Sequence, residues 1–194
     1  MKFFIKFFTF LTLFVSVMNI AEAQNKWRAR DLENYLYIDL KGGRVVIEML
    51  PQIAPKHVER LKALARRGFY DGVVFHRVID GFMAQTGDPT GTGMGGSNLP
   101  DLKAEFSDEP HIRGAVSMAR AADPNSANSQ FFIVLADSRF LDNQYTVWGR
   151  VVQGMEFVDQ IKKGSSSNNG KVTGPDKMLK VRVAADVEKE KAKQ

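Results

Sequence analysis

The sequence predicts a mainly β domain, a barrel or sandwich plugged by helices, and three observations carry that reading. Seven or eight short runs of strand character stand against only two helical patterns, without the alternation of βαβ units. Polar stretches rich in glycine and asparagine punctuate these runs, with no internal repeat and no second-domain boundary. The composition, 44% hydrophobic and 25% charged over 194 residues, suits one folded domain. Cysteine is absent, which excludes a disulfide framework, zinc-thiolate sites and cysteine catalysis.

The first segment belongs to no domain. Six of the 14 phenylalanines (Phe3, Phe4, Phe7, Phe8, Phe10 and Phe14) crowd the extreme N-terminus. Lys2 and Lys6 precede an uncharged apolar run, Phe7 to Ile20, which ends in Ala21-Glu22-Ala23. This is the order of a cleavable secretory signal, cut before Gln24. An uncleaved anchor is the rival, but a spanning helix needs about 20 mostly apolar residues. Here Thr9, Thr12, Ser16 and Asn19 interrupt the run. The chain thus divides into a signal at 1–23, an extension at 24–32, a domain at 33–187 and a charged tail at 188–194.

Tyr35–Leu40 and Val45–Leu50 read as a hairpin around Lys41-Gly42-Gly43-Arg44. A helix fits Pro55–Arg67, with proline in its first turn, Gly68 as its stop, and Val58, Leu61, Leu64 and Ala65 as its buried stripe. Strand character returns at Val73–Val78, Ala115–Ala119, Gln130–Leu135, Thr146–Val152 and Met178–Val183. A second helix fits Met155–Lys162. The intervening loops, 86–105 and 164–176, are long enough to suggest function or mobility.

Most chemical motifs fail on context. Gly91-Thr92-Gly93-Met94-Gly95-Gly96 matches a dinucleotide fingerprint, but neither a preceding strand nor a following helix frames it. His57, His76 and His111 lack the spacing of a zinc site. His76 fits a general base less well than a hydrogen-bonded core residue. No nucleophile elbow is present. The net charge of +5 falls to +4 without residues 1–23. The basic set Arg60, Lys62, Arg66 and Arg67 reads as a solvated helix face, and nucleic acid is not an expected partner. What remains is an arginine in an apolar strand. Alternation places Val73, Phe75 and Arg77 on one face, and Gln130 beside Phe132. With Phe82, Met83 and Gln85 these residues describe an apolar slot with a few fixed hydrogen-bonders. Patterning alone favours the plainer alternative, a structural arginine in an ion pair on two ordinary strands.

The segment Phe75-His76-Arg77-Val78-Ile79-Asp80-Gly81-Phe82-Met83-Ala84-Gln85-Thr86-Gly87-Asp88 closely resembles the signature of the cyclophilin peptidyl-prolyl cis-trans isomerases. The likeness runs on through Gly93-Met94-Gly95-Gly96, Glu105-Phe106, Ser117-Met118-Ala119 and Asn128-Ser129-Gln130-Phe131-Phe132-Ile133. It continues in Phe140-Leu141-Asp142, Val147-Trp148-Gly149-Arg150-Val151 and Gly154-Met155, covering about residues 33 to 187. The resemblance implies an eight-stranded antiparallel closed barrel capped by two α-helices, with the active groove outside it. It makes Arg77 the catalytic residue. Phe82, Met83, Phe132 and Leu141 would line a proline pocket, while Gln85, Gln130, Ala119 and the Arg120 backbone hold the peptide. Phe140 and Tyr145 stand where the best-known eukaryotic members carry tryptophan and histidine, choices similar to those of bacterial members. Phe140 lacks the indole N–H donor, which argues for weak cyclosporin binding.

The resemblance implies no cofactor and no metal. It implies that proline-containing peptides and unfolded chains are the partners, and that the protein works as a monomer. Joined to the signal, it predicts a periplasmic enzyme that is not inserted in the membrane after cleavage, with secretion or membrane anchoring as alternatives. A non-catalytic proline-peptide-binding or chaperone module on the same fold is the alternative function.

Overall fold

The computed structural model describes residues 32–193, so the expected signal at 1–23 and nearly all of the 24–32 extension lie outside the described residues. The chain opens with the anticipated hairpin: β1 (Tyr35–Leu40) pairs with β2 (Gly43–Met49) across the Leu40↔Gly43 end. Alternate residues Leu36, Ile38, Leu40, Val45, Ile47 and Met49 turn inward and are buried, as the two-residue period of a strand requires.

Helix α1 (Pro55–Arg66) buries Val58, Leu61, Leu64 and Ala65, the stripe its sequence predicts. Its N-cap residue, Ala54, has no side chain able to bond the free N–H groups of the first turn. Glu105 supplies the cap from 49 residues away: its carboxylate accepts from the N–H of Lys56 at 3.1 Å and of His57 at 3.1 Å. The same carboxylate meets His57 Nδ1 at 2.6 Å. The basic face of α1 is more occupied than its sequence suggests. Arg60 donates to the carbonyls of Asn128 and Pro100, while Arg66 pairs with Glu33 and Asp186.

Six further strands follow: β3 (Arg77–Ile79), β4 (Met83–Thr86), β5 (Ala115–Met118), β6 (Phe131–Val134), β7 (Val147–Gln153) and β8 (Lys180–Val183). All pair antiparallel in one sheet of order β3-β4-β6-β5-β7-β2-β1-β8. The eight antiparallel strands match the expectation, but the closed barrel does not. The sheet curls into an open half-barrel whose edges, β3 and β8, do not pair. β3 is only three residues long. The segment facing it contains Gly174-Pro175 and makes only isolated bridges, Val74↔Lys177 and Arg77↔Lys171. Proline lacks the N–H that a continuous ladder would need.

The helices also differ from expectation. α2 (Met155–Asp159) is shorter than the predicted Met155–Lys162. A third helix, α3 (Ala184–Lys191), crosses the boundary drawn at 187/188 and takes in most of the charged tail. Its first turn buries Ala184 and Ala185, and Lys191 pairs with Glu188 across a helical turn.

Buried apolar residues form two clusters on opposite faces of the sheet. The larger fills the half-barrel, where Phe131 lies edge-on between Tyr70 and Trp148, 5.7 Å and 5.4 Å from their ring centroids. The smaller comprises Met83, Ala115, Phe132, Val134 and Leu141 on the outer face. Strand β6 serves both: Phe131 and Ile133 point inward, Phe132 and Val134 outward. All four β6 residues are buried because each face has its own cover.

Candidate active site

The outer cluster is the floor of a pocket, and strand register builds it. β3 and β4 form a hairpin around Asp80-Gly81-Phe82, with Gly81 at φ 66°, a left-handed backbone that glycine adopts without strain. Arg77 then stands opposite Gln85, Gln85 opposite Phe132 on β6, and Phe132 opposite Ser117 on β5. Ile79, Met83 and Val134 form the next row. Directly opposed residues share a face, so four strands contribute to one surface.

That surface holds a cavity of about 120 Å³ lined by Arg77, Phe82, Met83, Gln85, Ala119, Arg120, Phe132, Leu141 and Tyr145. The volume is well below the roughly 300–1,000 Å³ of a drug-sized site and suits a single small ring. Phe132 forms its floor, 5.8 Å from the Tyr145 ring and nearly perpendicular to it at 81°. The Arg120 guanidinium lies 4.6 Å above Tyr145, a cation–π contact that steadies this wall. Phe140, 66% exposed, leans on Phe82 at 5.5 Å and forms the rim.

Arg77 supplies a second guanidinium to the pocket. Its Nη1 donates to Gln85 Oε1 at 3.2 Å, its Nε to the Asn169 carbonyl at 3.0 Å and its Nη2 to Asn169 Oδ1 at 2.9 Å. No carboxylate pairs with it among the described residues, so the ion-pair reading of this arginine fails. Partial burial lowers its pKa from the ordinary arginine value, yet a guanidinium stays protonated at any accessible pH. The local fold differs from the expected alternation. Phe75 and Val78 both enter the core, so an irregular step between them shifts the parity and sends Arg77 outward.

Gln130 lines the groove beside the pocket and also braces its neighbours. Its Oε1 accepts from Gln85 Nε2 at 3.0 Å, and its Nε2 donates to the carbonyls of Gly93 and Gly95 at 3.0 Å and 2.8 Å. The side chain therefore fixes Gln85 and the glycine-rich loop. That loop, discarded as a nucleotide motif, folds around buried Asp88, whose carboxylate accepts from the backbone N–H of Thr90, Thr92, Gly93 and Gly95. Burial pushes the Asp88 carboxyl up, but the Thr90 hydroxyl and the backbone donors outweigh it and hold the group well below the usual carboxylate range. Beyond Gln130 the pocket opens into a groove of about 530 Å³ shared by Gln85, Ala119 and Arg120 with Ser97, Asp101 and Asn128.

Sequence reasoning missed the layer behind the pocket. His111 stacks on the back of Phe132 at 6.2 Å, its Nδ1 2.9 Å from Asp142 and its Nε2 3.0 Å from the Ser117 hydroxyl. Burial lowers the His111 pKa from the ordinary histidine value despite the opposing pull of Asp142. These partners are 31 and 6 residues away and carry no local motif. His76 is buried in line with the core reading, but neither ring nitrogen has a hydrogen-bond partner among the described residues.

Comparison with known proteins gives one answer at every level. Residues 35–183 match the family model described as cyclophilin type peptidyl-prolyl cis-trans isomerase/CLD. A probable peptidyl-prolyl cis-trans isomerase of Brucella suis biovar 1 is 55% identical over 169 residues, which span 81% of this chain and 86% of the relative. A cyclophilin crystal structure from Hirschia baltica superposes with a TM-score of 0.71 at 30% identity, covering 80% of this chain and 76% of its own. A Cryptosporidium parvum cyclophilin-type isomerase, solved in the presence of the dipeptide Ala-Pro, gives the same score and identity over 77% of this chain and 98% of its own.

Proposed function

This chain belongs to the cyclophilin-type peptidyl-prolyl cis-trans isomerase family, and from that membership we propose how its pocket turns the bond before proline. The activity is cis–trans isomerisation of X-Pro peptide bonds. Rotation is slow because resonance gives the amide C–N bond partial double-bond character, with a barrier of about 18–20 kcal/mol. At the twisted transition state that resonance is lost and the prolyl nitrogen regains a lone pair.

The observation that carries the mechanism is the Arg77 guanidinium, held on two sides at the edge of an apolar cavity of about 120 Å³. Phe82, Met83, Phe132 and Leu141 grip the proline ring. The guanidinium has five N–H donors: Gln85 and Asn169 take three, a fourth on Nη1 faces Met83 Sδ at 4.0 Å, and the remaining one on Nη2 is left for the lone pair of the twisted nitrogen. The planar amide nitrogen offers no such acceptor, so the twisted state binds better than the ground state. No proton transfer and no covalent intermediate are needed. Arginine suits this role better than lysine because its charge persists and its donors lie in a rigid plane. Backbone groups of Ala119 and Arg120, with Gln85, hold the peptide on one side while the other turns. A protease-coupled assay on a proline peptide tests the activity: the purified protein accelerates isomerisation, whereas binding of unfolded chains without acceleration would favour the chaperone module.

Phe140 sets inhibitor sensitivity in this reading, since its exposed ring covers the rim without a polar donor. Phe140→Trp restores an indole N–H there. The expected result is an inhibition constant for cyclosporin about tenfold lower, the scale of one well-placed hydrogen bond. Unchanged inhibition would remove Phe140 as the determinant.

The same reading makes this a bacterial exported isomerase that speeds folding of proteins in the periplasm. Its support is Lys2 and Lys6, the apolar run Phe7–Ile20 and the Ala21-Glu22-Ala23 site. Cell fractionation with N-terminal sequencing is expected to find a periplasmic protein beginning at Gln24. Recovery of the unprocessed chain in the membrane fraction would overturn this localisation.

A further inference from the structure

We propose that Asn169 is a positioning residue for the reaction, acting through Arg77 by fixing the plane of its guanidinium. The inference rests on the reading that Arg77 stabilises the twisted amide. The function of the 164–176 loop follows from it.

One residue grips one edge of the guanidinium twice. The Asn169 carbonyl accepts from Nε and its Oδ1 accepts from Nη2, at 3.0 Å and 2.9 Å. Two acceptors on adjacent nitrogens fix the plane of the fork as a single acceptor cannot. The opposite nitrogen, Nη1, is left toward Gln85 and the pocket.

The loop is built to hold this grip. A short 3-10 turn (Ser166–Asn168) leads into two consecutive left-handed residues, Asn169 at φ 49° and Gly170 at φ 75°. The reversal brings the backbone and side-chain oxygens of Asn169 to the same group. Backbone bonds then stitch the loop to the strand on both sides of Arg77. Val78 N–H donates to the Gly170 carbonyl at 2.8 Å, Gly164 N–H to the Val78 carbonyl at 2.9 Å and Val172 N–H to the His76 carbonyl at 3.0 Å.

Residue chemistry explains the choice of asparagine. Left-handed backbone is tolerated by glycine, asparagine and aspartate but by few other residues. Glycine lacks the second acceptor. Aspartate would supply it with a negative charge, which competes with the prolyl lone pair for the guanidinium. Asparagine alone combines the backbone angle with a neutral acceptor.

Asn169→Gly isolates the side-chain contact, because glycine keeps the left-handed turn and the carbonyl bond to Nε. The expected result is a kcat about tenfold lower for a proline peptide, with the peptide dissociation constant changed less than twofold. The scale reflects misorientation of a catalytic group rather than its removal. Asn168→Gly, at a neighbour that is not among the partners of Arg77, retains full activity. In an Arg77→Ala background Asn169→Gly has no further effect, because nothing is left to orient. Full activity of Asn169→Gly beside a crippled Arg77→Ala would overturn the inference while leaving the role of Arg77 intact. Equal losses in Asn168→Gly and Asn169→Gly, or additive losses with Arg77→Ala, would reduce Asn169 to general loop stability and overturn it too. Full activity of Arg77→Ala itself would instead remove the reading beneath it.

Discussion

Replacing Arg77 by alanine is expected to lower kcat for prolyl isomerisation by roughly 10²–10³-fold, the loss found when one preorganised donor is removed from a site of charge development. The peptide should still bind with nearly unchanged affinity. The cavity walls proposed to hold its ring, Phe82, Met83, Phe132 and Leu141, are uncharged and stay in place in the variant. The fold should also survive, since Arg77 is partly exposed and pairs with no carboxylate among the described residues. Coupled-protease kinetics with a separate binding titration check both parts. Near-normal turnover in this variant would remove the electrostatic mechanism.

Phe132→Ala is expected to act through binding instead. The ring is 5% exposed, forms the pocket floor, stacks on His111 and meets Tyr145 edge-on. Burial of an apolar side chain contributes about 1.5–3 kcal/mol. Losing the surface that buries the proline ring should therefore raise the peptide dissociation constant about 10–100-fold, at tenfold per 1.4 kcal/mol. Stability should fall as well, by about 3 kcal/mol, because truncating a buried phenylalanine leaves a cavity. Chemical denaturation measures the second effect and peptide titration the first. A variant that loses turnover but binds peptide normally would contradict the division of labour between floor and cation.

The contrast between these two residues shows what the sequence could and could not convey. Strand alternation in Ser129-Gln130-Phe131-Phe132-Ile133 puts Phe131 and Phe132 on opposite faces, and they do line the core and the pocket respectively. The hairpin of β1 and β2 and the buried stripe of α1 were equally legible, because each depends on a local period. Local period failed at Phe75-His76-Arg77. There the run is not one strand: Val74 makes an isolated bridge, Arg77–Ile79 form β3, and the irregular residues between them reset the parity. β4, which pairs between β3 and β6, was not read as a strand at all. The charged tail concealed α3, whose helix is supported by Ala184 and Ala185 against the sheet rather than by an amphipathic stripe.

Contacts distant in the chain were out of reach altogether. Glu105 caps α1 across 48 and 49 residues, Asp142 meets His111 across 31, and Asn169 meets Arg77 across 92. No spacing rule connects such pairs; the topology of the sheet does. The closed barrel was an expectation carried by family resemblance. The edge strands decide otherwise, since a three-residue β3 and a proline-bearing segment opposite it cannot complete a ladder.

The most direct test of the central claim is the cis–trans exchange rate of a proline peptide bound to the purified protein, measured by NMR at saturating enzyme. Wild type and Arg77→Ala are compared under identical conditions, so binding drops out and only turning of the bond remains. If Arg77 stabilises the twisted amide, exchange is fast on the wild type and about 10²–10³-fold slower on the variant while the peptide remains bound. Equal exchange rates on the two proteins would contradict it.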